Sequence, residues 1–136
     1  MPKFSERSLS HLSTCHPDIQ RILNAVILFF DFTVLVGHRD KEAQNEAFAT
    51  GRSGKQYPNS KHNALPSIAV DIAPWPIDWK DRERFTYLAG HIKQAANELG
   101  LKVRWGGDWD QDTQVNDNNF DDLVHFEIVF ARKRFC

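Results

Sequence analysis

Three polar clusters break into otherwise apolar stretches of this chain: Gly37-His38-Arg39, Ser60-Lys61-His62 leading toward Asp71, and the run Asp121-Asp122-Leu123-Val124-His125. A histidine taken alone is ordinarily a surface residue or a hydrogen-bonded core residue, and that holds for each of the six here. Two imidazoles joined by a carboxylate have another use. They can hold a zinc ion (Zn2+) with three protein ligands and leave a fourth position open, whereas a structural zinc site wants four. Zinc lowers the pKa of water to about 7, and a nearby carboxylate can take the proton and later pass it to a leaving amine. The chemistry within reach of such a set is amide hydrolysis.

These groups need elements to carry them. From Pro17 to Phe30, residues Ile19, Ile22, Leu23, Val26, Ile27 and Phe30 share one stripe, with Pro17 at the first helical position, which predicts an amphipathic helix. Phe32 to Val36 is short and β-branched, ends at Gly37, and reads as a buried strand. Asp40 can cap a second helix through Ala43, Gln44 and Ala47 that stops at Gly51. Arg52 to Pro66 has no periodicity and is rich in Ser, Gly, Lys, Asn and Pro, so it is a long loop, and such loops are usually functional. Ile68 to Ala73 alternates as a strand, with Ile68, Val70 and Ile72 on one face and Ala69, Asp71 and Ala73 on the other. A carboxylate between small residues leaves room for a ligand. Asp81 to Leu99 has helical spacing and ends at Gly100, after which Leu101, Val103 and Trp105 alternate as a third strand and Gly106 to Asn119 forms a polar loop.

Leu123 to Phe130 closes the pattern. Val124, Phe126, Ile128 and Phe130 line one face of this strand while His125 and Glu127 share the other. On a straight strand Asp121 and Glu127 have the parity of His125 and Asp122 does not. For Asp122 to join His125 the chain must turn before Leu123, which the polar run Asn116 to Asp122 permits.

Composition sets the outer bounds. A chain of 136 residues, 41% apolar and 26% charged, fits one folded domain spanning 1–136. With 17 basic and 18 acidic residues and no long like-charge run, it lacks the footprint of a nucleic-acid binder. The longest apolar run, Ala25 to Phe30, is far short of the roughly 20 residues that span a bilayer. Met1 to Arg7 has no apolar segment of the kind that directs export, so synthesis in the cytoplasm is expected. Cys15 and Cys136 read as free thiols. The expected architecture is α+β: a small, mainly antiparallel four-stranded sheet with helices on one face and the polar cleft on the other, working as a monomer.

The segments SKHNALPSIAVDIAP (Ser60 to Pro74), WGGDW (Trp105 to Trp109) and DLVHFE (Asp122 to Glu127) resemble the VanY/VanX-type zinc metallopeptidases. That group includes D-alanyl-D-alanine carboxypeptidases and the L-alanyl-D-glutamate endopeptidases of phage endolysins, and the similarity runs from about Val36 to Val129. The resemblance implies a hedgehog/D-Ala-D-Ala metallopeptidase-like fold, zinc on His62, Asp71 and His125, Asp122 as general base, Arg39 steadying the carbonyl oxygen, and Ser60 at the substrate's carboxylate. Asp121 and Glu127 stay open as bases. Between His62 and Asp71 stand eight residues, Asn63 to Val70, a longer span than the family commonly has. The implied substrate is a peptidoglycan stem peptide, met at the cell wall after release from the cytoplasm. An endolysin-type L-alanyl-D-glutamate endopeptidase fits best; a D-alanyl-D-alanine carboxypeptidase, or a non-catalytic wall-binding or virion module with a structural metal, is the alternative. Trp75, Trp79, Trp105 and Trp109 read as packing anchors rather than a glycan platform. Arg52, Lys55 and Lys61 could draw in an anionic stem, although exposed loop bases are ordinarily just solvated.

Overall fold

Alternating apolar residues on four short segments build a sheet with one dry face. A computed structural model describes residues 2–116 and 121–130. Its strands are β1 (Phe32–Val36), β2 (Ala69–Pro74), β3 (Val103–Gly106) and β4 (Asp122–Ile128), ordered β1-β2-β4-β3 with every neighbour antiparallel. The registers align Val34 with Ile72, Val70 with Phe126, and Trp105 with Phe126, so these side chains meet on one face. Two helices cover that face, α2 (Pro17–Val26) and α4 (Arg82–Glu98), which contribute Ile22, Leu23, Leu88 and Ile92 to the core. Each such side chain, fully buried, stabilises the fold by about 1.5–3 kcal/mol before entropy is counted. No described helix is long and apolar enough to cross a membrane.

The α+β architecture expected from the sequence is present, with local differences. The helix starting at Pro17 ends at Val26 rather than Phe30; Phe29 and Phe30 both donate to the Val26 carbonyl in a turn that leads into β1. A helix not foreseen, α1 (Glu6–Leu12), covers the outer edge of β1, where Ser8 Oγ accepts from Val34 N at 3.0 Å and bonds Thr33 Oγ1 at 3.0 Å. That blunts an edge strand that would otherwise offer unpaired backbone groups. The last strand stops at Ile128, and Phe130 is exposed beyond it.

The opposite face of the sheet is polar. It carries Asp71, Arg104, His125 and Glu127, and is bordered by α3 (Lys41–Ala49), whose N-cap Asp40 accepts from Ala43 N at 2.8 Å, and by a short 3-10 turn, Lys61–Asn63. Gly51 takes φ +78°, a conformation that suits glycine, and starts the loop between them.

Candidate active site and metal centre

The β2–β4 register sets Asp71 directly opposite His125. His125 Nδ1 lies 3.2 Å from Asp71 Oδ1, and His62 Nε2 reaches the same oxygen from the loop at 3.1 Å. One donor atom from each of the three lies within 4.8 Å of the others. The loop is not free to wander. Ser60 Oγ accepts from His62 N (3.2 Å), Asn63 Oδ1 accepts from Ser60 N (3.0 Å), and Arg39 N donates to the His62 carbonyl (2.8 Å). The long span from His62 to Asp71 therefore does not prevent their approach. Its extra length is accommodated in an irregular loop, where added residues cost little.

The far nitrogen of each imidazole is also fixed. His62 Nδ1 faces the Gly37 carbonyl at 2.8 Å, and His125 Nε2 faces Glu127 Oε1 at 2.9 Å. With N–H on those sides, His62 Nε2 and His125 Nδ1 would be the atoms that offer lone pairs to a metal; without one, they are the atoms that hydrogen-bond Asp71. Orienting acceptors of this kind are the usual companions of metal-binding histidines. Both rings are buried, and they stand 5.2 Å apart at 70°. Two imidazoles with set tautomers and one carboxylate fit a zinc-type ion with one position left for water.

Charge follows the same geometry. Burial alone would raise Asp71, but hydrogen bonds from His125 and His62 outweigh it and hold its carboxyl well below the usual range. Burial would lower His125, but hydrogen bonds to Asp71 and Glu127 push it up to about 9. Glu127 is held down to about 2: desolvation is overcome by His125 and then by Arg104, whose Nη2 donates to Oε2 at 2.9 Å. With both its oxygens engaged, Glu127 is an orienting group rather than a free base.

Asp122 reaches the cavity by a bulge. Trp105 pairs with Phe126, yet the next residue, Gly106, pairs with Asp122, so Leu123, Val124 and His125 stand between these partners on β4 with nothing opposite them on β3. Those residues supply the bend that a straight strand lacks. Gly106 is required there, because a Cβ would sit 2.0 Å from the Asp122 carbonyl oxygen; at Gly107 a Cβ would meet the Trp105 ring at 2.4 Å. Burial and the nearby Asp71 carboxylate raise Asp122 above its ordinary value, against the pull of His125, His62 and Arg39. Asp121 instead forms an ion pair with Arg82 and does not line the cavity. Residues 117–120, part of the run read as the turn before this strand, lie outside the described residues.

Asp122, His62, Asp71, His125, Arg39 and Ser60 all border one cavity of about 850 Å³. Arg39 does not turn to Asp40 or Glu42. Its Nη2 lies 3.9 Å from Asp71 Oδ2 and its Nη1 donates to Gln44 Oε1 at 3.1 Å. The tryptophans divide: Trp105 is core and donates from Nε1 to the Leu123 carbonyl (2.9 Å), Trp75 and Trp79 are exposed, and Trp109 leans on His125 with ring centres 5.5 Å apart while Arg104 lies over its ring at 5.3 Å. The contacts of Gln44, Arg104 and Trp109 were missed in the sequence. The parity of Arg104 opposite Glu127 was the only signal, and it becomes visible once the register is known. A second carboxylate group, Asp108, Asp110 and Asp112, shapes the loop after β3, with Asp108 accepting from the Asp112 and Thr113 amides.

Comparison with known proteins gives the family of the chain. Residues 1–129 match the family of phage L-alanyl-D-glutamate peptidases, and the chain belongs to that family. It is 32% identical over 120 residues to the L-alanyl-D-glutamate peptidase of Escherichia phage T5, covering 85% of this chain and 87% of that protein. The crystal structure of Serratia marcescens L-Ala D-Glu endopeptidase ChiX is similar with a TM-score of 0.74 and 28% identity, over 94% of this chain and 91% of that one. The resemblance read from the three motifs is borne out, in its endopeptidase branch.

Proposed function

We propose that this protein is a zinc-dependent L-alanyl-D-glutamate endopeptidase that cuts peptidoglycan stem peptides during phage-type lysis, made in the bacterial cytoplasm and acting as a monomer on the wall after release. The observation that carries this is the meeting of His62, Asp71 and His125 donor atoms in the cavity that also holds Asp122 and Arg39. Family membership favours this bond over D-alanyl-D-alanine.

His62 Nε2, Asp71 and His125 Nδ1 would hold the zinc, which when bound supplies Lewis acidity that acidifies water and polarises a carbonyl. Asp122, whose carboxyl burial raises above the ordinary aspartate value, takes the proton of the attacking water and returns it to the departing glutamate nitrogen. Arg39, braced by Gln44, stands beside Asp71 to stabilise the negative charge that grows on the carbonyl oxygen. Ser60 Oγ already accepts from the His62 amide, which leaves its O–H to donate to a substrate carboxylate.

Purified walls treated with zinc-loaded protein, followed by mass spectrometry, test the proposal. New N-terminal D-glutamate is expected. Release of D-alanine would replace it with a carboxypeptidase, and inertness despite bound metal would favour a wall-binding module.

A further inference from the structure

The cavity is unevenly charged. Its floor on β2 and β4 carries the carboxylates of Asp71, Asp122 and Glu127, while the wall formed by residues 51–61 carries Arg52, Lys55 and Lys61 and no acid. Arg52 is engaged with Glu46 at 3.7 Å. Among the described residues, Lys55 and Lys61 have no ion-pair partner, and both residues line the cavity.

This wall is anchored. Gln44 of α3 is completely buried, and its amide is used on both sides: Nε2 donates to the Lys55 carbonyl (2.6 Å) and Ser53 Oγ (3.0 Å), and Oε1 accepts from Arg39 Nη1 (3.1 Å) and Asn63 Nδ2 (3.2 Å). One side chain thereby fixes the backbone of Lys55 relative to Arg39 and to the turn that presents His62. Lys61 precedes His62 directly, so their Cα atoms are about 3.8 Å apart. A buried amide satisfied four times over holds its neighbours in place; the same amide left unpaired would be costly.

The bond in question adds a chemical demand. Glutamate has two carboxyl groups and a stem peptide continues through only one, so the residue that supplies the scissile nitrogen brings a second wherever that group is not amidated. Where the stem continues through the side chain, that free carboxylate sits on the carbon bonded to the scissile nitrogen, beside the reacting carbonyl.

Resting on the peptidase function above, we propose that Lys55 and Lys61, on the Gln44-anchored wall, form the subsite for the free carboxylate of the D-glutamyl residue, and that they select ionised stems over amidated ones. The negative charge enters a cavity whose floor is acidic, and only this side of it offers cations without partners. Complementary charge of this kind gives discrimination more than raw affinity.

The test compares two peptides, N-acetyl-L-Ala-D-Glu-L-Lys joined through the D-Glu side chain, with the α-carboxylate free or converted to carboxamide. Zinc-loaded wild type should prefer the free carboxylate by about tenfold in kcat/KM, mostly through KM, and added salt should shrink that preference. Lys55→Ala combined with Lys61→Ala should bring the ratio to within about twofold of one, and the double Lys→Arg variant should restore it. Equal cleavage of both peptides by wild type, or an unchanged preference in the double Ala variant, overturns the subsite and leaves the peptidase function standing. Failure to cut either peptide or purified walls overturns the peptidase function itself.

Discussion

The floor and the wall of the cavity are held by different means. Asp71 and Glu127 stand on strands paired on both sides, and His125 is paired with Asp71 across β2 and β4, so the ladder fixes each position. The wall hangs on side-chain hydrogen bonds that converge on one buried amide, that of Gln44. A strand that slips by one residue turns its whole face over, so the floor is all or none. The wall can lose one bond and keep the rest. Asp71, His125 and Asp122 lie on the rigid side, His62 and Arg39 reach them from the loop side, and the groups proposed to sort substrates lie where the site can change by small steps.

Breaking the proposed metal set and its floor should have the largest effect. His62→Ala removes a donor from a three-ligand set, and both zinc content, measured by elemental analysis, and wall lysis should fall below detection. Asp122→Asn should keep the metal and lose about 10²- to 10⁴-fold in turnover, the usual worth of a positioned acid–base group. If turnover survives with metal bound, the proton acceptor is a different residue. Glu127→Ala should lower zinc affinity about 10- to 100-fold in chelator competition, because His125 loses the acceptor that sets its tautomer. Glu127→Gln, which keeps one acceptor oxygen, should lose less.

The floor was largely legible before the structure, and the wall was not. Alternation around Asp71 and His125 gave their common face, and the loop character of 52–66 explained how His62 could arrive. Asp122 was ambiguous because its direction depends on a bulge, and the bulge depends on pairing with Gly106 across the sheet, which no local pattern records. Gln44 reads as an ordinary polar helix residue, since its burial comes from a loop folding back over it. The helix at Glu6–Leu12 escaped for a related reason: its key inward group is Ser8, a hydroxyl bonded to a strand edge, so it shows no clear apolar stripe.

Smaller effects sharpen the contrast. Gln44→Leu should destabilise the fold by about 1–3 kcal/mol in urea titrations, by leaving buried polar groups unpaired, while zinc affinity stays within about twofold of wild type. A floor that weakened equally would show that the two regions are not independent. Without a metal, the carboxylates of Asp71 and Glu127 overcome the burial of His125 and push it up from its ordinary 6.5 to about 9. A group raised in the folded state gives stability that is complete below its unfolded pKa and lost as pH climbs through the folded one. The thermal midpoint of metal-free protein should therefore drop by several degrees between about pH 6.5 and 9. The zinc-loaded protein should not share this drop, since its His125 is already neutral.

The sheet order β1-β2-β4-β3 places the strand that is translated after the other three in between two of them. Until β4 emerges from the ribosome, β2 and β3 have no common neighbour, Asp71 has no imidazole across from it, and Asp122, the proposed proton acceptor, has not been made. A nascent chain is thus harmless by construction: hydrolytic power arrives in one step, with the insertion of its central strand.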